Sequence, residues 1–340
     1  MIEQAVILTV GRGMRLGSLT KDRSRAMLPV LGKPLVARVM DRLREAGIKR
    51  FVVVVGEHEG GVVSYLNTLW VPDAKLSFVL QTEPRGITHA LSLAAPLLES
   101  SFLLTSIDHL TPSTQVQQLI RRFDSYQGDM VLSALSTLPD ETPRGAVFTT
   151  SNKGAQVLTI TDRVIEHREQ IAFMLYACGR RILDYLSPRV PITYADPELS
   201  APIQALINDG GRVTFVNAEW HLPLSDERDL LAINRRFLRE GRDAHILSEL
   251  PGSVHIIPPV RIDPKVSIGL NAKIGPNVYL ESGASVGHDA VIWDSVVLRD
   301  AVVKPGEILH NYIVSRRERL SEQEAELPPP PSSDAFDFLA

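Results

Sequence analysis

A cluster of glycines and cations follows the first apolar run of the chain. AVILTV leads into Gly11, Arg12, Gly13, Met14 and Arg15, with Arg25 and the pair Lys33-Pro34 close behind. Backbone N–H groups of a glycine-rich turn can converge on an anion, and a helix starting beyond them adds partial positive charge. Gly11 and Gly13 allow the chain to approach a phosphate, and Arg15 is spaced to reach its oxygens. The same pattern also describes a tight strand-to-helix turn with a surface arginine, so both readings stay open on this stretch alone. A second candidate is Asp108, after FLLTSI. A carboxylate there suits a hard divalent ion, or it caps the turn at Thr111-Pro112. Its neighbour His109 reads as a surface turn histidine or as a hydrogen-bond partner of a phosphate, and Lys33-Pro34 as a helix start.

Such residues need a scaffold that gathers loops at one edge. From Ala5 to about Arg236, short β-rich runs (AVILTV, FVVVVG, LSFVLQ, SFLLTSID) alternate with helical patterns such as PLVARVMDRLREAG and THALSLAAPLL. Apolar strands separated by helices predict a Rossmann-like, mostly parallel α/β sheet covered on both faces. Ligands of such sheets sit beyond the carboxyl ends of the strands, where both the glycine loop and Asp108 fall.

From Val254 the character changes to a repeat of six: VHIIPP, VRIDPK, VSIGLN, AKIGPN, VYLESG, ASVGHD, AVIWDS, VVLRDA, VVKPGE. One small aliphatic column runs through Val254, Val260, Val266, Ala272, Val278, Ala284, Ala290, Val296 and Val302. A second runs from Ile256 to Leu298. A fixed hexapeptide period predicts a parallel β-helix with three flats per coil. His255, His288 and His310 do not recur at one coil's spacing and read as corner residues. The expected organisation is an α/β domain over 1–237, a linker over 238–253, the β-helix over 254–315 and a Pro-rich acidic tail over 316–340. The tail's end, Asp334–Ala340, mixes aromatics with acids in the manner of a docking peptide, or is a solvated end.

Composition narrows the class. A formal charge of −4 gives no general attraction to nucleic acid or acidic membranes. No apolar run is long enough to span a bilayer, and MIEQAVILTV lacks the basic segment of a signal peptide. One cysteine, Cys178, allows no internal disulfide and suits a reducing compartment. These features point to a cytoplasmic protein.

The motifs taken in order resemble the sugar-1-phosphate nucleotidylyltransferases, in the branch with a C-terminal hexapeptide domain: mannose-1-phosphate guanylyltransferases and glucose-1-phosphate adenylyl- or thymidylyltransferases. The resemblance runs from GxGxRL through MLPVLGKPLV, FVLQTEPRGITHAL, FLLTSIDHL, VLTITDRV and EWHLPLSDERDLLAIN to about Ser315. It implies a GT-A-like α/β domain followed by a left-handed β-helix that pairs protomers into homo- or hetero-oligomers. The implied reaction is attack of a hexose 1-phosphate on the α-phosphorus of a nucleoside triphosphate, with Mg²⁺ bridging the phosphates. By the same resemblance, Arg15 and Arg25 are the catalytic cations. Leu8, Gly11, Gly13, Gln81, Gly86 and Asp108 bind the nucleotide, and Asp108 is also the metal ligand. Gly145, Asp162 and Arg163 hold the sugar phosphate.

Several positions depart from the family pattern. Thr9 and Val10 replace small residues of the loop, Met14 a small hydroxylic one, and Ile107 the glycine before the metal aspartate. Arg25 and Arg163 stand where the family has lysines, which keeps charge but changes its geometry. Ala172-Phe173-Met174 replaces an Asn-Ala-Gly at the sugar. The second metal aspartate aligns with Pro223, and Asp226 reaches that role only by a shift of register. Two readings follow: a Mg²⁺-dependent transferase, its turnover kept, reduced or lost, or a non-catalytic nucleotide or nucleotide-sugar sensor or scaffold acting through the β-helix and tail.

Overall fold

The computed structural model describes residues 2–10, 16–70, 73–135, 144–151, 156–164, 170–186, 199–241 and 243–321. Gly11, Gly13, Met14, Arg15 and the tail peptide Asp334–Ala340 lie outside the described residues. The chain divides into two compact units, 1–12 with 36–223 and 13–35 with 224–340.

In chain order the elements up to the repeat are β1 (Gln4–Leu8), β2 (Pro29–Val30), β3 (Lys33–Pro34), α1 (Leu35–Glu45), β4 (Arg50–Gly56), α2 (Gly60–Thr68), β5 (Lys75–Gln81) and α3 (Gly86–Ala94). They continue with β6 (Ser101–Ser106), β7 (His109–Leu110), α4 (Ser113–Tyr126), β8 (Met130–Leu135), β9 (Arg144–Thr150) and β10 (Val157–Val164). Then follow β11 (Gln170–Gly179), α5 (Ser200–Asn208), β12 (Val213–Asn217), β13 (Leu222–Pro223) and α6 (Asp229–Glu240).

The first unit holds a sheet in the order β10-β9-β11-β6-β1-β4-β5, with β8 paired to β11 and β12 to β8. β6, β1, β4 and β5 are mutually parallel, as the strand-helix alternation predicts. β11 reverses direction against β6, and the β9-β10 hairpin continues that antiparallel half. All five residues of β1 are buried, and so is every residue of Phe51–Val55 in β4. These are the strands with helices over both faces, which is why their sequences are apolar without alternation. β5, at the edge, is only half-buried. The carboxyl ends of β1, β4, β5 and β6 share one edge, so Leu8, Gly56, Gln81 and Ser106 open onto the same loops.

In the second unit the repeat forms a parallel β-helix. Val260 pairs with Val278, Ser267 with Ser285, and Lys273 with Val291, one coil apart. Inward columns such as Ile262, Ile274, Leu280 and Ile292 are fully buried in one core. Asparagines and aspartates occupy corners with positive φ, among them Asn271, Asn277, Asp289 and Asp300, where a short polar side chain tolerates the left-handed region.

The unbroken count of six fails at one place. Leu280 pairs with Val297 rather than Leu298, because the flat around Trp293 is one residue shorter than the others. Downstream, Val297, Ala301 and Val303 therefore join the core, and Val302, placed inward by the sequence column, is 58 % exposed. Ser295 takes an inward place and is fully buried. Its hydroxyl donates to Trp293 O at 2.8 Å and accepts from Tyr312 N at 3.1 Å. Satisfying that group avoids a penalty of about 1–3 kcal/mol. Regular structure also continues past residue 315: Arg319–Ser321 pairs antiparallel with Tyr312–Val314, in contrast to the parallel coils. His288 sits at a corner with Asp289 at 2.8 Å, while His310 lies on a flat and stacks on Trp293.

Lys33-Pro34 is not the first turn of a helix. Pro29 pairs with Pro34 and Val30 with Lys33 around Leu31 and Gly32, whose φ values are +44° and +76°. Two consecutive positive φ angles are what a two-residue hairpin turn of the strand-matching hand requires. Helix α1 begins only at Leu35.

Candidate functional site

The sheet's carboxyl edge carries three groups of residues in the first unit. At the end of β1, Leu8 is fully buried and its carbonyl accepts from Ile107 N at 3.3 Å. Thr9 hydrogen-bonds through both N–H and hydroxyl to Val54 O, and its hydroxyl also contacts the Glu59 carboxylate. Glu59 in turn accepts from Gly56 N at 2.9 Å. Val10 packs against the main hydrophobic core. The end of β1 thus carries a branched apolar side chain packed into the core, with an acid bonded to Thr9 and Gly56. Glu59 was not anticipated from the sequence; nothing in EHEGG distinguishes it from a helix-start acid.

At the end of β5, Gln81 and Gly86 are brought together as expected. Gln81 is 3 % exposed, and its amide donates to Gly86 O at 3.1 Å and lies 3.0 Å from His89 Nδ1. Gly86 has a φ of +82° with open space where a Cβ would project, so the backbone angle alone calls for glycine. This turn launches α3.

Beyond β6, Asp108 accepts a hydrogen bond from Ser106 Oγ. Ile107 before it is fully buried. His109 is not a surface turn histidine. It lies in β7, which pairs antiparallel with β13 so that His109 faces Pro223 directly. Its Nδ1 is 2.8 Å from His221 Nε2, and its Nε2 is 4.0 Å from Asp108 Oδ1. An N–H on Nε2 facing the carboxylate leaves Nδ1 to accept from His221. Phe173 of β11 stacks on His221 at 4.2 Å between ring centroids, with the planes 20° apart. Burial, and after it the charge His109 would carry, holds the His221 imidazole well below its ordinary pKa, so it is neutral.

Pro223 therefore sits beside Asp108's neighbour, where the resemblance places a second carboxylate. The side chains around it are imidazole and phenyl rings. His221 is two residues before Pro223, on the same side of the strand, and reaches the ground a carboxylate at 223 would share. Among the described residues, no group of three or more His, Cys, Asp or Glu is arranged to hold a metal ion. Magnesium needs several oxygen ligands in near-octahedral geometry. Asp108 with two imidazoles and a phenyl ring is not such a donor set. Asp226 belongs to the second unit, where its carboxylate accepts from Arg228 N at 3.0 Å, at the start of α6. The significance of His221 and Phe173 escaped the sequence because they meet His109 only through strand pairing, 112 residues apart for the two histidines.

The three residues that the resemblance assigns to the sugar phosphate lie on one hairpin. Arg163 pairs with Gly145, and Asp162 with Ala146, across β10 and β9. Ala172, Phe173 and Met174 are all buried in β11, with Met174 O accepting from Thr105 Oγ1 at 3.0 Å. Arg25 lies in the second unit, in a single 3₁₀ turn over Arg25–Met27.

The described residues thus combine a mixed α/β sheet with a parallel β-helix built on a hexapeptide repeat. The chain belongs to the nucleotidyl transferase family, whose pattern it matches over residues 4–214, and residues 256–324 match the GMPPB C-terminal domain. It is similar to the glucose-1-phosphate thymidylyltransferase of Streptomyces griseus, 24 % identical over 90 % of this chain and 88 % of that one. It is 24 % identical to the UTP–glucose-1-phosphate uridylyltransferase AglF of Haloferax volcanii, over 71 % of this chain and 99 % of that one. The bifunctional protein GlmU of Brevibacillus brevis is 27 % identical over 89 % of this chain, which spans 66 % of GlmU's length. Among solved structures, a UDP-glucose pyrophosphorylase from Acinetobacter baumanii superposes with a TM-score of 0.61 at 18 % identity, over 71 % of this chain and 95 % of that one. Among the described residues, no helix is long and apolar enough to cross a membrane.

Proposed function

We propose that this chain binds a nucleoside triphosphate or nucleotide sugar at the carboxyl edge of its sheet, and that nucleotidyl transfer to a hexose 1-phosphate is reduced to a residual rate. Family membership supports the ligand class. The reading is supported by Gln81 bonding Gly86 at the end of β5 and by Gly145 pairing with Arg163 on one hairpin. In this reading Arg15 and Arg25 hold the triphosphate, and Asp162 with Arg163 the sugar phosphate.

The observation that carries the loss of turnover is the pairing of Pro223 with His109, with His221 and Phe173 stacked beside Asp108. A transferring phosphoryl group gathers negative charge that bound Mg²⁺ neutralises. With Asp108 alone, an ion arriving on the nucleotide is held mainly by the nucleotide's own oxygens. Removing one electrostatic stabiliser of this kind costs about 3–4 kcal/mol, a factor of 10²–10³ in rate. The chain then works as a reader of nucleotide or nucleotide-sugar level, with the β-helix as its output and its surface for self-association.

The test combines pyrophosphate release with calorimetry, using a panel of nucleoside triphosphates, hexose 1-phosphates and nucleotide sugars with Mg²⁺. Micromolar binding of at least one nucleotide with turnover below about 10⁻² s⁻¹ is expected; ordinary family catalysis runs near 1–10³ s⁻¹. Turnover in that ordinary range, lost in Asp108→Ala, would replace this reading with that of a working transferase.

A further inference from the structure

One face of the β-helix is built from outward-pointing residues that are nevertheless buried. Val260, Ile262, Val278 and Leu280 form the inner columns, so Arg261 and Tyr279 between them point outward. Outward positions of a β-helix ordinarily meet water, yet Tyr279 is fully buried, Asp263 is 5 % exposed and Glu281 is 4 % exposed. What covers them, within the same compact unit, is the segment 16–35 that carries Arg25.

That segment leans on its surroundings. Its regular structure is two short 3₁₀ turns and the β2-β3 hairpin, and Ser18 N, Leu31 N and Gly32 N donate to side chains from elsewhere in the unit. Gly32 N donates to Tyr279 Oη at 3.1 Å, and Tyr279 Oη donates to Asp263 Oδ2 at 2.8 Å. Arg261 Nε closes the cluster on Asp263 Oδ1 at 2.7 Å. A Cβ on Gly32 would stand 2.4 Å from Arg261 Nη2, so the hairpin turn is seated directly on this cluster. Two residues before Arg25, Arg23 Nη1 meets Glu281 Oε1 at 2.7 Å, and the other oxygen of Glu281 accepts from Arg299 N. Asn234, fully buried in α6, accepts from Leu31 N and donates to Pro29 O.

We propose that Tyr279 and Glu281 are positioning residues for Arg25, so that the β-helix sets how tightly the chain holds a triphosphate. The inference rests on the reading of Arg25 as a triphosphate ligand. Fixation on both sides, at Arg23 and at Gly32, removes the freedom of a side chain that must meet a polyanion in a defined place. A hydrophobic face would cover a β-helix flat at less desolvation cost. The buried acid, phenol and guanidinium instead set one register for the segment.

A double-mutant cycle tests it on the full chain, with a nucleoside triphosphate as titrant and the matching nucleoside monophosphate as control. Tyr279→Phe leaves Gly32 N without its acceptor and should weaken triphosphate binding about 5- to 10-fold, with the monophosphate changed less than 2-fold. In an Arg25→Ala background the same substitution should cost less than 2-fold. Glu281→Gln should behave likewise through Arg23. Equal losses with and without Arg25, or no loss in Tyr279→Phe, overturn the proposal. Hydrogen exchange provides a readout that needs no ligand. Amides of residues 25–34 should exchange faster in Tyr279→Phe while those of Val291–Trp293 do not, and unchanged exchange at 25–34 also overturns it. If the wild-type chain binds no triphosphate but the exchange result holds, the nucleotide reading fails and the anchoring stands.

Discussion

The β-helix and the carboxyl edge of the α/β sheet have diverged from their sequence patterns in opposite ways. In the β-helix a residue's role is set by its place in a period, and each coil repeats the instruction of the one before. One short flat at Trp293 shifts the register by a residue, and the fold absorbs it by burying Ser295 with both of its hydrogen bonds made. At the sheet edge every position is unique. Pro223 stands where the resemblance places a carboxylate; it pairs with His109 across β7 and β13, and Phe173 stacks on His221 beside it. Redundant architecture tolerates slips and keeps its form; a non-redundant site keeps its form and changes its chemistry.

The largest effect that can break the comparison is a clash between coils. Gly275 has a φ of +111°, and a Cβ there would stand 1.9 Å from Ile257 O. Gly275→Ala should cost about 3–5 kcal/mol, read as the shift of the urea midpoint for the unit. A loss below about 1 kcal/mol would mean that stacked coils yield locally and that redundancy extends to backbone contact.

The register slip gives the next test. Val303 is 1 % exposed in the core and Val302 is 58 % exposed beside it. Val303→Ala should cost about 2 kcal/mol and Val302→Ala less than about 0.5 kcal/mol. A strict six-residue count from Val254 predicts the reverse order, so the pair of urea midpoints decides between them.

These cases show what the sequence made legible. Period and alternation are averages over many residues, and they identified the β-helix, the parallel strands and the helices between them. A single missing residue at Trp293 falls below what an average detects. Of the candidate site positions, Gln81 and Gly86 lie on one turn and Gly145 and Arg163 on one hairpin. What Pro223 faces was not legible, because His109, His221 and Phe173 meet only after three strands from distant stretches are paired. The hairpin at Lys33-Pro34 was hidden for a different reason. A non-glycine residue, Leu31, takes a positive φ that its type disfavours, held there by Asn234 accepting its N–H.

The rings at the sheet edge should also report on pH. His221 is neutral in the folded chain because burial and His109 depress its pKa; Asp108 pulls weakly the other way. The unfolded chain, with a histidine pKa near 6.5, binds more protons as pH falls. Stability from this group is therefore complete above about pH 6.5 and declines below it, by at most about 1.4 kcal/mol per pH unit. Urea midpoints at pH 7.5 and 5.5 should separate more in wild type than in His221→Phe. Equal separation in the two would show that His221 is protonated in the fold, and that a cation rather than a neutral ring lies beside Asp108.

The smallest expected effect is the most informative about the site. If one carboxylate were all that the edge lacks, Pro223→Asp should restore pyrophosphate release by two orders of magnitude or more. The geometry argues otherwise. A carboxylate at 223 would project on the side of the strand already used by His221, whose ring is stacked on Phe173 and bonded to His109. Asp108 is also engaged by Ser106 Oγ. An aspartate introduced there would find a hydrogen-bond donor nearby before it shared a cation, and a proline's fixed φ would be lost as well. Release in Pro223→Asp should therefore stay within about threefold of wild type, a change below about 0.7 kcal/mol in the barrier. Combining it with His221→Ala and Phe173→Gly should be required for any larger gain. A hundredfold gain from Pro223→Asp alone would show that the rings give way easily and that the fold preserved its catalytic ground along with its shape.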